Sequence, residues 1–128
     1  MFKQFINQDY IVSLFRKNLT YRLMLQDNEG SQQSSDVFAV ECTVNNLLQI
    51  LKELKRLNRK DNNLRVIKWS NNNCEYSLNP YWPNTGVDKV WLSFASVDSD
   101  YVEKDFILSI TFGDLQRLIN FLTDIDEL

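Results

Sequence analysis

Residues Thr43–Leu57 read T-V-N-N-L-L-Q-I-L-K-E-L-K-R-L, and the rest of the chain is organised around them. Leu47, Leu48, Leu51, Leu54 and Leu57 recur at a 3.6-residue period, so they share one face of a helix. Thr43 suits the N-cap, because its hydroxyl can accept an amide proton of the first turn. The strand candidate Val37–Cys42 runs straight into that cap. The same arrangement returns near the C-terminus: Phe106–Ile110 reads as a strand, Thr111 as a cap, and Leu115, Leu118, Ile119 and Leu122 as the apolar stripe. Asp114 falls at the third helical position, close to the positive end of the helix dipole.

The two units align at an offset of 68 residues: Phe38 falls on Phe106, Val40 on Leu108, Thr43 on Thr111, Leu47 on Leu115, Leu51 on Ile119 and Leu54 on Leu122. A duplicated half-domain produces such a match. So does any amphipathic strand that enters a capped amphipathic helix.

Outward from these units, Phe2, Phe5 and Ile6, then Tyr10, Leu14 and Phe15, suggest an N-terminal helix with a less regular stripe. Tyr21, Leu23 and Leu25 alternate with Arg22, Met24 and Gln26, the pattern of a half-buried strand. The polar turn Asn28–Asp36 joins it to Val37–Cys42 as a hairpin. Leu64–Trp69 and Cys74–Leu78 read as a further strand pair around the S-N-N-N turn. Asn79–Asp88 is an unusual loop with Tyr81 and Trp82 between Pro80 and Pro83, and Gly86 at its end. Lys89–Val97 is the strongest strand, with Val90, Leu92 and Phe94 on one face and Trp91, Ser93 and Ala95 on the other. Fraying is expected after about Leu122. The sum is a single α+β domain over 1–128: a mainly antiparallel sheet of about five or six strands, packed against two or three helices. The two best helices share one sheet face, and Trp69, Trp91, Tyr76 and Ile67 are candidates to cover the other.

Composition excludes more than it assigns. A chain of 128 residues with 44% hydrophobic residues can bury a core without disulfides. There is no histidine, which removes the usual proton shuttle and the commonest zinc ligand. The glycines, Gly30, Gly86 and Gly113, build no phosphate loop. Cys42 and Cys74 lie in strand-like runs with no CxxC and read as structural thiols. The acids of Asp98–Asp105 lack the EF-hand pattern, so no metal or cofactor is assigned. A small hydrolase would need paired carboxylates such as Glu41 and Glu75. No apolar run has the length of a signal core or membrane span, which makes the cytoplasm the expected location.

The net charge of −3 is unevenly spread. Residues 52–68 carry seven basic against two acidic side chains, net +5, and residues 98–128 carry eight acidic against two basic, net −6. The basic run could track phosphates through Arg56, Arg59, Lys60, Arg65 and Lys68, with Trp69, Tyr76, Tyr81 and Trp82 stacking on bases. The overall acidity argues instead for a protein partner with a basic surface. Tyr81 and Trp82, with Asp98, Asp100, Tyr101 and Glu103, are the residues expected to carry that contact. A small, acidic, cofactor-free chain is similar in profile to immunity proteins, antitoxins and phage inhibitors. The expected role is therefore a non-enzymatic module that neutralises another protein, with nucleic-acid binding as the alternative. Homodimerisation through an exposed strand or aromatic face would use the same residues.

Overall fold

The computed structural model describes residues 2–29, 32–33, 36–60, 64–82 and 88–124. Among the described residues nine strands and two helices follow in the order β1 (Phe2–Ile6), β2 (Tyr10–Lys17), β3 (Thr20–Glu29), β4 (Gln32–Gln33), β5 (Phe38–Cys42), α1 (Val44–Asn58), β6 (Ile67–Asn71), β7 (Cys74–Tyr81), β8 (Lys89–Val97), β9 (Glu103–Thr111) and α2 (Phe112–Thr123). This is an α+β fold with antiparallel sheets packed against two helices. The strands form two sheets rather than one: β1-β2-β3-β5 with the short β4 beside the end of β3, and β6-β7-β8-β9. Setting β4 aside, the architecture is four antiparallel strands and a helix, twice over.

The two units at offset 68 are the second half of each repeat. In α1, Thr43 Oγ1 accepts from the Asn46 amide at 3.2 Å and the Asn46 side chain accepts from the Thr43 amide at 2.9 Å, a reciprocal capping box. In α2, Thr111 Oγ1 accepts from the Asp114 amide at 3.2 Å, with Asp114 in the first turn. Phe38 and Phe106 face each other with ring centroids 6.5 Å apart, where β5 meets β9.

Inner and outer positions alternate along the strands, except on β2, which is buried on both faces from Tyr10 to Leu14. Val12 and Leu14 on β2, Leu23 and Leu25 on β3, and Phe38 and Val40 on β5 are buried, as are Leu78, Val90, Leu92, Phe94, Leu108 and Ile110 in the second sheet. They share one hydrophobic cluster with the stripes of α1 and α2. Within α1 the stripe includes Ile50 and leaves Leu48 exposed, and Glu53 is buried beside Arg56 in an ion pair of 3.1 Å.

Further expectations are corrected. The N-terminal segment is not a helix: β1 and β2 pair with Phe2 opposite Phe15 and Ile6 opposite Ile11. The eye is misled there because Asn7, Gln8 and Asp9 place a turn between two short apolar runs, and the Asn7 side chain accepts from the amides of Asp9 and Tyr10. The strand expected to begin at Leu64 begins at Ile67, and the one expected to stop at Leu78 continues through Pro80 to Tyr81. Pro80 is accommodated opposite Leu92 in the β7–β8 pairing. Trp69 and Tyr76 do not cover the outer sheet face; both are buried on the inner one, with rings stacked 5.7 Å apart. Gly30, Pro83, Gly86 and the acids Asp126 and Glu127 lie outside the described residues.

Candidate nucleic-acid interface

The β2–β3 hairpin closes through Asn18 and Leu19, with Lys17 opposite Thr20. Asn18 takes φ 56°, a left-handed conformation that asparagine tolerates and a two-residue hairpin turn requires. The register that follows puts Phe2 opposite Phe15, Phe15 opposite Arg22, and Arg22 opposite Glu41. Their chain neighbours Leu14, Tyr21, Leu23, Val40 and Cys42 point into the core, so this four-residue row lies on the outer face. Phe2 and Phe15 sit 4.9 Å apart and remain 49% and 41% exposed. That is a contiguous aromatic surface that packing inside the chain does not use up.

Beside it, Arg22 Nε donates to Glu41 Oε1 at 2.7 Å. The pair forms one wall of a groove of about 700 Å³ that also involves Phe15, Lys17, Leu19 and Asn72. Asn72 belongs to the β6–β7 turn, where Asn72 and Asn73 both adopt positive φ. The groove therefore runs between the two sheets. A hydrogen bond ties the two sheets beside it: Trp69 Nε1 of β6 donates to the peptide carbonyl of Glu41 at 3.0 Å.

The second sheet carries a matching row. Tyr81 is opposite Trp91, and Trp91 opposite Ser109. With Val40 superposed on Leu108 by the 68-residue offset, the strand registers bring Arg22 onto Trp91, Phe15 onto Tyr81 and Glu41 onto Ser109. Tyr81 and Trp91 meet edge to face at 5.2 Å on the outer side. Each repeat thus presents aromatic surface at the corresponding place.

The residues singled out by sequence are dispersed. Tyr81 lies in the second row, whereas Trp82 turns inward and packs on Phe112 at 5.4 Å. Asp98, Asp100 and Tyr101 form the β8–β9 turn, and Glu103 begins β9 opposite Val97. Six residues of β8 separate Trp91 from Val97, about 20 Å of extended chain. The structure does not bring Tyr81 and Trp82 together with the acidic turn. In that turn Asp98 Oδ1 accepts from the amides of Asp100 and Val102, each at 2.9 Å, and Tyr101 is 87% exposed.

The 52–68 basic run is likewise divided. Arg56 is occupied by Glu53, Lys60 lies 3.5 Å from Asp88 and over the Phe112 ring, and Lys68 lines a separate recess on the second sheet. Of the hydrolase pair, Glu41 on β5 lines the groove and Glu75 on β7 lines the recess that holds Lys68. Cys42 and Tyr76 are core groups, both pushed up to about 12 chiefly by burial, the direction opposite to that of an activated nucleophile. Among the described residues no cluster of three metal-ligating side chains occurs, and no helix is long and apolar enough to cross a membrane.

Sequence reasoning missed Phe2, Phe15, Arg22 and Glu41 as a set. The signal that could have found them was the alternation of Phe15 with Leu14, and of Arg22 with Tyr21 and Leu23, once β2 is read as a strand.

No family model matches the chain, and no curated protein sequence matches it. Solved structures share the fold. The plant transcriptional regulator PBF-2 superposes with a TM-score of 0.58 at 8% identity, over 97% of this chain and 80% of that one. MRP1/MRP2 of Trypanosoma brucei superposes with a TM-score of 0.53 at 11% identity, over 99% of this chain and 84% of that one.

Proposed function

We propose that the chain binds single-stranded nucleic acid across the outer faces of its two sheets. The observation that carries this reading is the row Phe2–Phe15–Arg22: exposed aromatic rings in register with a cation, beside a groove rimmed by Lys17. Bases stack on such rings whatever their sequence, and Lys17 and Arg22 supply local positive charge that the net −3 conceals. One of the proteins that shares the fold is a plant transcriptional regulator.

The test is fluorescence anisotropy with a labelled oligothymidine of about 15 nucleotides, against a duplex of the same length. Two or three phosphate contacts predict an affinity loss of roughly tenfold between about 50 and 200 mM salt. Lys17→Glu should weaken binding and shallow that salt slope by about one. Absence of single-strand binding at low salt would refute the reading.

A second reading, a module that binds and neutralises a protein partner, is favoured by the β8–β9 turn. Tyr101 projects there almost fully exposed beside Asp98, Asp100 and Glu103. Affinity capture after nuclease treatment separates the two: a stoichiometric protein partner lost on Tyr101→Ala supports it, and a capture indifferent to Tyr101 does not.

A further inference from the structure

We propose that the groove between the β2–β3 hairpin and the β6–β7 turn holds one unpaired guanine of the bound strand, stacked on Phe15 and read by Arg22 and Glu41. This rests on the nucleic-acid reading and specifies it. That reading leaves one charge unexplained. Glu41 is the one carboxylate among the described residues lining the groove, and a carboxylate repels phosphate. It suits a ligand only where the ligand turns hydrogen-bond donors toward it.

The Arg22–Glu41 pair offers donors and acceptors side by side. Arg22 spends Nε on Glu41 Oε1, and its two terminal nitrogens have no other partner among the described residues. The Arg22 side chain is 56% exposed and that of Glu41 20%, so both reach the groove while the carboxylate stays partly shielded from water. A guanidinium fork matches O6 and N7 of guanine, and a carboxylate matches N1–H and the N2 amino group. Guanine is the base whose edge runs two acceptors and then two donors, the order that a guanidinium beside a carboxylate complements. Adenine alternates the two kinds, and thymine offers a single donor between acceptors.

The site is also held in place. The Trp69 bond to the Glu41 carbonyl fixes the backbone beneath the carboxylate, and the strand register fixes Phe15 beside Arg22. A space of about 700 Å³ accepts a purine with its sugar.

The experiment uses the full chain and oligothymidine strands of about 15 nucleotides with one central dG, dA, dC or deoxyinosine. The dG strand is expected to bind roughly tenfold tighter than the all-thymidine strand. Deoxyinosine, which lacks the N2 amino group, should fall between them. Glu41→Gln removes a negative charge, so thymidine binding is retained or strengthened while the dG-to-dT ratio falls toward one. Equal affinity for the dG and all-thymidine strands overturns the guanine site and leaves the nucleic-acid reading standing. A dG preference unchanged in Glu41→Gln also overturns it. Failure of every strand to bind removes both.

Discussion

Replacing Trp69 by Phe tests the joint between the two halves of the molecule. Trp69 is 8% exposed, stacks on Tyr76, and makes the indole hydrogen bond to the Glu41 carbonyl across the sheets. Phenylalanine keeps a ring for Tyr76 but has no donor. Losing the hydrogen bond costs about 1 kcal/mol, the usual net value for a neutral pair. The smaller ring gives up roughly 40 Å² of buried apolar surface, which is about 1 kcal/mol more. The total of about 2 kcal/mol is a sizeable part of a typical stability of roughly 5–15 kcal/mol. For a chain of this length it corresponds to a fall in Tm of about 6–10 °C. Urea unfolding followed by circular dichroism measures it, and the midpoint should fall with an unchanged slope. Trp91→Phe is the control, because Trp91 lies on the outer face; it should cost less than about 0.5 kcal/mol. Equal effects of the two substitutions would refute the argument, since the inter-sheet bond would then contribute nothing beyond ring size.

Other consequences follow from single features. Phe15→Ala should weaken single-strand binding by about 1–3 kcal/mol through lost stacking, with the salt slope unchanged, in an anisotropy titration. Its stability cost, read by urea unfolding, should stay near 1 kcal/mol because Phe15 forfeits chiefly its contact with Phe2. Tyr101 holds φ 61° while its side chain is nearly all in water, so Tyr101→Gly should stabilise the chain by about 0.5–1 kcal/mol, measured by thermal melting. Burial, and after it the charge of Glu41, pushes the Cys42 thiol up from 9.0 to about 12. The folded chain then holds a proton that the unfolded chain releases, so this contribution to stability is complete below pH 9 and declines as pH rises from 9 toward 12. The decline should approach 1.4 kcal/mol per unit and be flattened between pH 9 and 10 in Cys42→Ala, with urea midpoints as the check.

Capped amphipathic helices were legible in the sequence because both signals are local. The leucine period and the two threonine caps lie within a few turns, and the structure reproduces them down to the Asp114 amide. Alternation found β3, β5, β8 and β9 for the same reason. The pairing of Asn18–Asp27 with Val37–Cys42 was legible because a polar turn separates two alternating runs. The N-terminal hairpin was not. Phe2, Phe5, Ile6, Tyr10, Leu14 and Phe15 satisfy a loose helical spacing, and their strand character comes from the pairing of β1 with β2 and of β2 with β3, which the apolar spacing alone does not show. Trp69 and Tyr76 were assigned to the wrong face because their direction depends on where β6 starts, and a short strand gives little alternation to fix it. The candidate interface was hidden for a compounded reason: its row crosses four strands, and the sequence pattern of two of them, β1 and β2, reads as helix.

The two halves show which parts of the structure packing explains and which it does not. Phe38 and Phe106 are equivalent by the 68-residue offset and touch each other. A residue that meets its own counterpart lies beside an approximate two-fold axis, as at the centre of a self-complementary dimer. Around that axis the inner positions have kept their character: Val40 answers Leu108, Leu23 answers Leu92, and both helices begin at a threonine cap. The outer rows have not. Arg22 and Glu41 on one sheet stand where Trp91 and Ser109 stand on the other. A core tolerates little change in volume, so the inner agreement needs no cause beyond stability. An outer face is free to vary, and solvent alone would favour scattered polar residues there. Aromatic rings held in register at corresponding places, Phe15 on one sheet and Tyr81 with Trp91 on the other, are poorly matched to water and well matched to stacked bases. The difference between the rows then has a functional direction. In the proposed complex the charged row would distinguish one base from another, and the aromatic row would hold neighbouring bases without regard to identity.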